Sequence, residues 1–276
     1  MSCIPQNVSI TSLIAEVPLF LGLKFSELTE IASSTRMVVA PRRETLFCKD
    51  EPCVGLYVVV HGQVKLFFSS PFGNEKILDV FGENQILGES ALFLGSNYQF
   101  YAQTLNDCIL LHIGKQAILD LVDQNPLFAR RVIGNLSKAV FGLTENVEAY
   151  ALHSGRQRVI NYLAREALRD NPGLLNWQAT GAEPQDTLRI TLPTSKGVIA
   201  SCLNLTQEHF SRILHDLAVA SFLFVDGRDI HIVDLAQFRQ FACLLALQPE
   251  SKQSNDWRAV AKYSPPSRDI DSRVAS

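Results

Sequence analysis

The chain has 276 residues, enough for two domains of ordinary size, with 47% hydrophobic and 19% charged residues and a formal net charge of −3. That balance excludes a broadly basic body, so any nucleic-acid role must rest on a local surface. The opening MSCIPQNVSITSL lacks a basic start followed by a sustained apolar run, and no stretch reaches the ~18 apolar residues of a membrane span. The cytoplasm is the expected compartment and no membrane partner is expected.

Residues 1–115 read as a β-rich unit. After a helical stretch, LKFSELTEIASS, the segments TRMVVA, LYVVV, QVKLFFSS, EKILDVF and CILLHI carry the β-branched and aromatic residues of strands. Gly- and Asn-bearing turns separate them, a pattern that points to a sandwich or barrel. The cysteines Cys3, Cys48, Cys53, Cys108, Cys202 and Cys243 are scattered, which suits a reducing compartment better than a disulfide framework. Only Cys48 and Cys53 lie close together, and no second pair follows to complete a zinc or iron–sulfur site.

Residues 116–153 read as one long helix. Ile133, Leu136, Val140, Leu143, Val147 and Tyr150 recur at alternating spacings of three and four, a heptad seam that fits pairing with a second copy. The same stripe would also suit a helix packed on its own domain. Placement between a β unit and a helical unit favours the homodimer.

Residues 154–248 begin with the helix RQRVINYLAREAL and continue through the strand DTLRITLP. A helix TSKGVIASCL, opened by Thr194 or Ser195, leads through the turn LNLT to the helix QEHFSRILHDLAVASF, for which Thr206 is the natural N-cap. FLFVDGRDIHIVD closes the unit as a hairpin around Asp226-Gly227. Helix, turn, helix and hairpin make a winged helix-turn-helix. Residues 249–276 are polar and turn-rich and are expected to be disordered.

On the second helix of that turn, Phe210, Ile213, Leu214 and Leu217 form the buried stripe, Glu208, Ser211, Arg212 and His215 lie toward the other side, and Gln207 and Glu208 occupy the first turn. A recognition helix brings its first-turn residues to base edges. An arginine can fork onto guanine, a glutamate can accept from cytosine N4, Ser211 can donate to a phosphate or a base, and Thr206 suits a phosphate contact. Glu208 and Arg212 are also four apart, the spacing of an ordinary surface ion pair. The domain order weighs for DNA, although residues 154–240 carry equal numbers of basic and acidic side chains.

Taken together, residues 15–245 resemble the cyclic-AMP-receptor/fumarate-nitrate-regulator (CRP/FNR) family of bacterial transcription regulators. The resemblance implies an α+β protein: a cyclic-nucleotide-binding-type β-roll, a long dimerisation helix and a C-terminal winged helix-turn-helix. It implies a homodimer on double-stranded DNA, a contact with RNA polymerase, and no enzymatic activity. Glu208, Ser211 and Arg212 match the E-x-x-S-R arrangement of the fumarate-nitrate-regulator branch, which implies a palindrome similar to TTGAT-N4-ATCAA.

ILGESALFLGSNYQFYAQTLNDC occupies the place of the family's nucleotide cassette, with Gly88, Glu89 and Ser90 at its G-E-x start. The Arg-Ser pair that holds a cyclic phosphate in nucleotide-binding members falls here on Tyr98-Gln99. No Arg or Lys lies between Lys76 and Lys115, so a buried phosphate would have no cationic partner there. Cyclic AMP is therefore not expected. A 4Fe-4S cluster is not expected either, because only Cys3 precedes Cys48. The run ALFLG followed by a Tyr-containing loop is similar to the nitric-oxide-responsive regulators of denitrification, which implies a response to nitrogen oxides or low oxygen. Haem is an open option, with His61, His112 and Cys48 as candidate axial ligands. A cyclic-nucleotide-responsive or an effector-independent regulator of the same fold remains the alternative.

Overall fold

In the computed structural model the described residues are 9–170, 188–233 and Phe238. The expected disorder of 249–276 concerns residues outside this set.

Two short helices, α1 (Ile10–Glu16) and α2 (Phe25–Ser33), flank a 3-10 turn at Pro18–Phe20 and lead into the β unit. Its eight strands are β1 (Thr35–Ala40), β2 (Thr45–Phe47), β3 (Gly55–His61), β4 (Val64–Ser69), β5 (Glu75–Phe81), β6 (Ile86–Leu87), β7 (Tyr101–Thr104) and β8 (Cys108–Gly114). A helix α3 (Glu89–Leu94) interrupts them between β6 and β7. They form two antiparallel four-stranded sheets, ordered β1-β8-β3-β6 and β2-β7-β4-β5, around one apolar core. Val58, Val59, Val64, Leu110 and Leu111 are fully buried there, so the β-branched runs serve the interior. The strands β2, β6 and β7 were not anticipated, being only two to four residues long.

The expected single helix over 116–153 is two helices, α4 (Lys115–Gln124) and α5 (Pro126–Leu152). The break is chemical: a residue before proline disfavours the helical region, and proline suits a first helical position. Asn125 turns extended (φ −123°, ψ 96°), and its Oδ1 accepts from the Leu127 and Phe128 amides, both at 3.0 Å. Its Nδ2 donates to Glu27 Oε1 at 2.8 Å, tying the start of α5 to α2. Asn125→Ala is expected to lower the stability of the β unit by about 1 kcal/mol, the usual cost of losing an N-cap. Urea unfolding checks this, and a loss within error would show that water replaces the cap.

Phe128 and Val132 are buried against the β core, with Phe128 stacked on Phe20 at 5.6 Å between ring centroids. Beyond them α5 leaves the β unit and reaches α6 (Gly155–Asp170). The C-terminal unit continues with β9 (Leu188–Thr191), α7 (Lys196–Cys202), α8 (Gln207–Val219), β10 (Leu223–Asp226) and β11 (Asp229–Ile232). Its sheet has the order β10-β11-β9, and a second core gathers Val159, Leu163, Ile190, Phe210, Leu217 and Ile230. Asp226 pairs with Asp229, so the two loop residues of the wing are Gly227 and Arg228. Gly227 takes a positive φ of 58° there.

The two units touch through β5 and α7. Ser201 Oγ accepts from the Ile77 amide at 3.0 Å, and Lys76 Nζ donates to the Ser201 carbonyl. Among the described residues no helix is long and apolar enough to cross a membrane.

Candidate nucleic-acid interface and effector region

The helix-turn-helix is built by local chemistry. Ser195 Oγ accepts from the Val198 amide at 3.4 Å and Thr206 Oγ1 from the His209 amide at 3.2 Å, opening α7 and α8. Asn204, between them, takes a left-handed φ of 55°, a conformation that asparagine tolerates.

Phe210, Ile213, Leu214 and Leu217 are buried, which turns Glu208, Ser211, Arg212 and His215 outward to solvent. Among the described residues no ion pair joins Glu208 to Arg212, so both side chains stand available on one exposed strip. Thr206 is spent on its cap. Gln207 is turned back over α7: a Cβ added at Gly197 would come within 2.7 Å of its Oε1. All five residues expected at DNA are exposed, with Thr206 also capping α8 and Gln207 also lying close to Gly197 of α7. Arg228 at the wing is committed to the Leu192 carbonyl, at 3.1 Å from Nε and 2.7 Å from Nη2.

The expected effector residues do not converge on an open pocket. Gly88 takes a left-handed φ of 97° that strains any other residue, and a Cβ would lie a tight 3.1 Å from the Gly55 carbonyl oxygen and 3.4 Å from Tyr98 Cε1. Tyr98 itself is only 3% exposed, stacks on Phe47 at 3.9 Å and donates to the Gly55 carbonyl at 3.1 Å. It fills the roll rather than lining a cavity in it. Ser90 and Gln99 face solvent, with the Gln99 amide donating to the Asn97 carbonyl at 3.0 Å.

Glu89 points elsewhere: its Oε1 accepts from Asn135 Nδ2 of α5 at 2.7 Å. This link joins the effector region to the long helix, and sequence spacing gave no hint of it. Burial pushes the Glu89 carboxyl above its ordinary value of about 4.5, with the Asn135 bond opposing. An acid raised in the fold stabilises it most below the ordinary value and loses that contribution as pH climbs through the raised one. Glu89→Gln keeps the acceptor for Asn135 and removes the desolvated charge, so its melting temperature should exceed that of the natural chain at pH 7. The gap should shrink towards pH 4. A gap independent of pH, measured by thermal melts across that range, would refute this account.

The candidate haem ligands are dispersed. His61 is exposed, its Nδ1 3.0 Å from Glu83 Oε1. Burial and the Glu51 carboxylate push the Cys48 thiol up, away from the thiolate that binds iron. His112 Nε2 is buried without a hydrogen-bond partner. The Tyr57 ring stands 4.8 Å from its own, and a Cβ at Gly55 would reach within 3.0 Å of that nitrogen. Burial and Arg36 hold its pKa down. Tyr57 and Gly55 therefore crowd that nitrogen in this arrangement.

Along α5, Ile133, Val140, Leu143 and Val147 are 62–67% exposed. Two members of the expected seam have partners within the chain. Leu136 is half-buried against the β core, because the first turns of α5 lie on that unit. Tyr150 donates its hydroxyl to the Cys202 carbonyl at 2.7 Å, satisfying an acceptor at the end of α7 that the helix leaves open.

Two family models match the chain: the cyclic nucleotide-binding domain over residues 37–125 and the Crp-like helix-turn-helix domain over 157–241. The chain is 22% identical over 222 residues to the CRP-like cAMP-activated global transcriptional regulator of Mycobacterium tuberculosis, covering 80% of this chain and 95% of that one. It is 23% identical over 199 residues to the fumarate and nitrate reduction regulatory protein of Vibrio cholerae, covering 72% and 75%. Among solved structures, FixK2 from Bradyrhizobium japonicum matches with a TM-score of 0.62 at 18% identity, over 75% of this chain and 96% of that one. With a β-roll matching the one model, a capped helix-turn-helix matching the other, and a long helix between them, the chain belongs to the CRP/FNR superfamily of bacterial DNA-binding transcription regulators.

Proposed function

We propose that two copies pair along α5 and read a palindrome similar to TTGAT-N4-ATCAA, in response to nitrogen oxides or low oxygen rather than to a cyclic nucleotide. The observation that carries the signal half is Tyr98. It takes the place of the phosphate-binding pair, is buried on Phe47, and has no Lys or Arg near it in sequence to hold a phosphate. Lys65, the buried lysine of the roll, is already paired with Glu75. That filling favours a small neutral effector acting on this aromatic interior over an anionic nucleotide.

The DNA half is supported by the outward strip Glu208, Ser211 and Arg212 and by the exposed seam. Two-fold pairing would set two recognition helices in successive major grooves, ~34 Å apart. A signal in the roll can reach α5 through Glu89 and Asn135, and it shifts DNA affinity only by favouring one pairing of the helices over another. Contact with RNA polymerase completes the proposal for a regulator of this kind.

The test is anaerobic purification followed by binding to the palindrome and to a scrambled duplex, with and without nitric oxide and with cyclic AMP. Nitric-oxide-dependent binding to the palindrome is the expected result. Cyclic-AMP-dependent binding would favour the reading suggested by the mycobacterial relative's name. An absorption spectrum taken before and after adding haem completes the set. A Soret band that moves with the gas would mean that the roll opens to admit a porphyrin.

A further inference from the structure

A cleft lies outside the β-roll, at the elbow where α5 meets α6. It has a volume of about 330 Å³ and is closed on its third side by the end of α7. That is the lower end of the size that holds small organic ligands. Its walls are largely apolar, with Phe141, Ala149, Tyr162 and Leu203 among them. Arg158 lines the cleft, and its Nε is buried and donates to no acceptor among the described residues.

A buried donor left unpaired costs free energy that a ligand oxygen could recover. The guanidinium carbon of Arg158 lies 5.8 Å from the centre of the Tyr150 ring, and both side chains line the cleft. The neighbouring charges decide the sign of the ligand. Arg165 stands 3.8 Å from Glu145 and largely answers it. Glu148 is exposed, so water screens its charge, whereas Arg158 is partly withdrawn from water and acts more strongly at short range. Burial pushes the Cys202 thiol up to about 11, so no thiolate competes with an incoming anion. Of the expected seam, Tyr150 lines the cleft, whereas Ile133, Val140, Leu143 and Val147 do not.

We propose that this elbow cleft is a binding site for a small carboxylic acid with an apolar body, its carboxylate on the Arg158 guanidinium and its body among Phe141, Tyr162 and Leu203. A ligand there touches α5, α6 and the end of α7 together, and so stiffens the joint between the long helix and the DNA-binding unit.

The experiment is direct binding of phenylacetate to the full chain by ligand-observed NMR, beside phenylacetamide, its neutral isostere. Phenylacetate should bind at least about tenfold more tightly than the amide, as a charge-assisted contact to arginine requires. Arg158→Gln should bring the acid down to the level of the amide with an unchanged far-ultraviolet circular dichroism spectrum. Equal binding of acid and amide to the natural chain would overturn the proposal, and that comparison needs no variant to fold. So would acid binding that survives Arg158→Gln, or no binding of either probe at millimolar concentration. Because binding is read directly, the result is independent of whether the palindrome or the nitrogen-oxide reading holds.

Discussion

Replacing Leu143 and Val147 together with aspartate is expected to leave a folded monomer of 30.7 kDa that has lost most of its hold on a palindromic duplex. Both side chains stand about two-thirds exposed on α5 and touch neither core of their own chain, so the fold has little to lose. A seam of this kind is stable only when another apolar surface covers it. Four aspartates brought together across a two-fold axis would meet as like charges in a desolvated strip. Once separated, the two recognition helices bind their half-sites independently, and the gain from linkage, roughly 10²–10⁴ in affinity, disappears. Light scattering and anisotropy on the palindrome and on an isolated half-site check the result. A variant that stays dimeric would show that α5 is covered by something other than its own copy.

Arg212→Ala is expected to remove discrimination at one base pair of each half-site, at a cost of roughly 1–3 kcal/mol per contact. The guanidinium is exposed and unpaired to Glu208, so its removal leaves no buried charge and no gap in the core. Stability should therefore hold while sequence selectivity falls. The C-terminal unit has no excess of positive charge, so non-specific binding offers little to fall back on. Titration against the palindrome, a point-substituted palindrome and random duplex separates the outcomes. An equal loss on all three would assign Arg212 to phosphate.

The DNA-binding unit was the most legible part of the chain, because each of its signals is local. Ser195 and Thr206 cap the helices that follow them, and the stripe Phe210, Ile213, Leu214 and Leu217 fixes which face is left for DNA. The β unit was legible where strands are long and repetitive, and illegible where two or three residues pair only because distant neighbours hold them. The break at Asn125 was readable from the following proline, but the apolar period runs through it and masked the signal. Tyr98 was expected at the phosphate-pair position of the effector region, and only the fold shows it stacked on Phe47 in the core. Periodicity likewise could not tell that Tyr150 meets Cys202, 52 residues away, since a stripe says that a face is covered and not by what. The bond from Glu89 to Asn135 and the elbow cleft belong to the same class, being products of tertiary contact alone.

The contact between Ser201 and Ile77 has a consequence for solubility. β5 is the outer strand of its sheet, and α7 lies over it with a side-chain hydroxyl on one of its free amides. An uncovered outer strand is a template for strands from other molecules. Any arrangement in which the DNA-binding unit swings away from the roll uncovers that template once in each copy. A form in which α7 stays over β5 is then expected to be the one that stays dispersed.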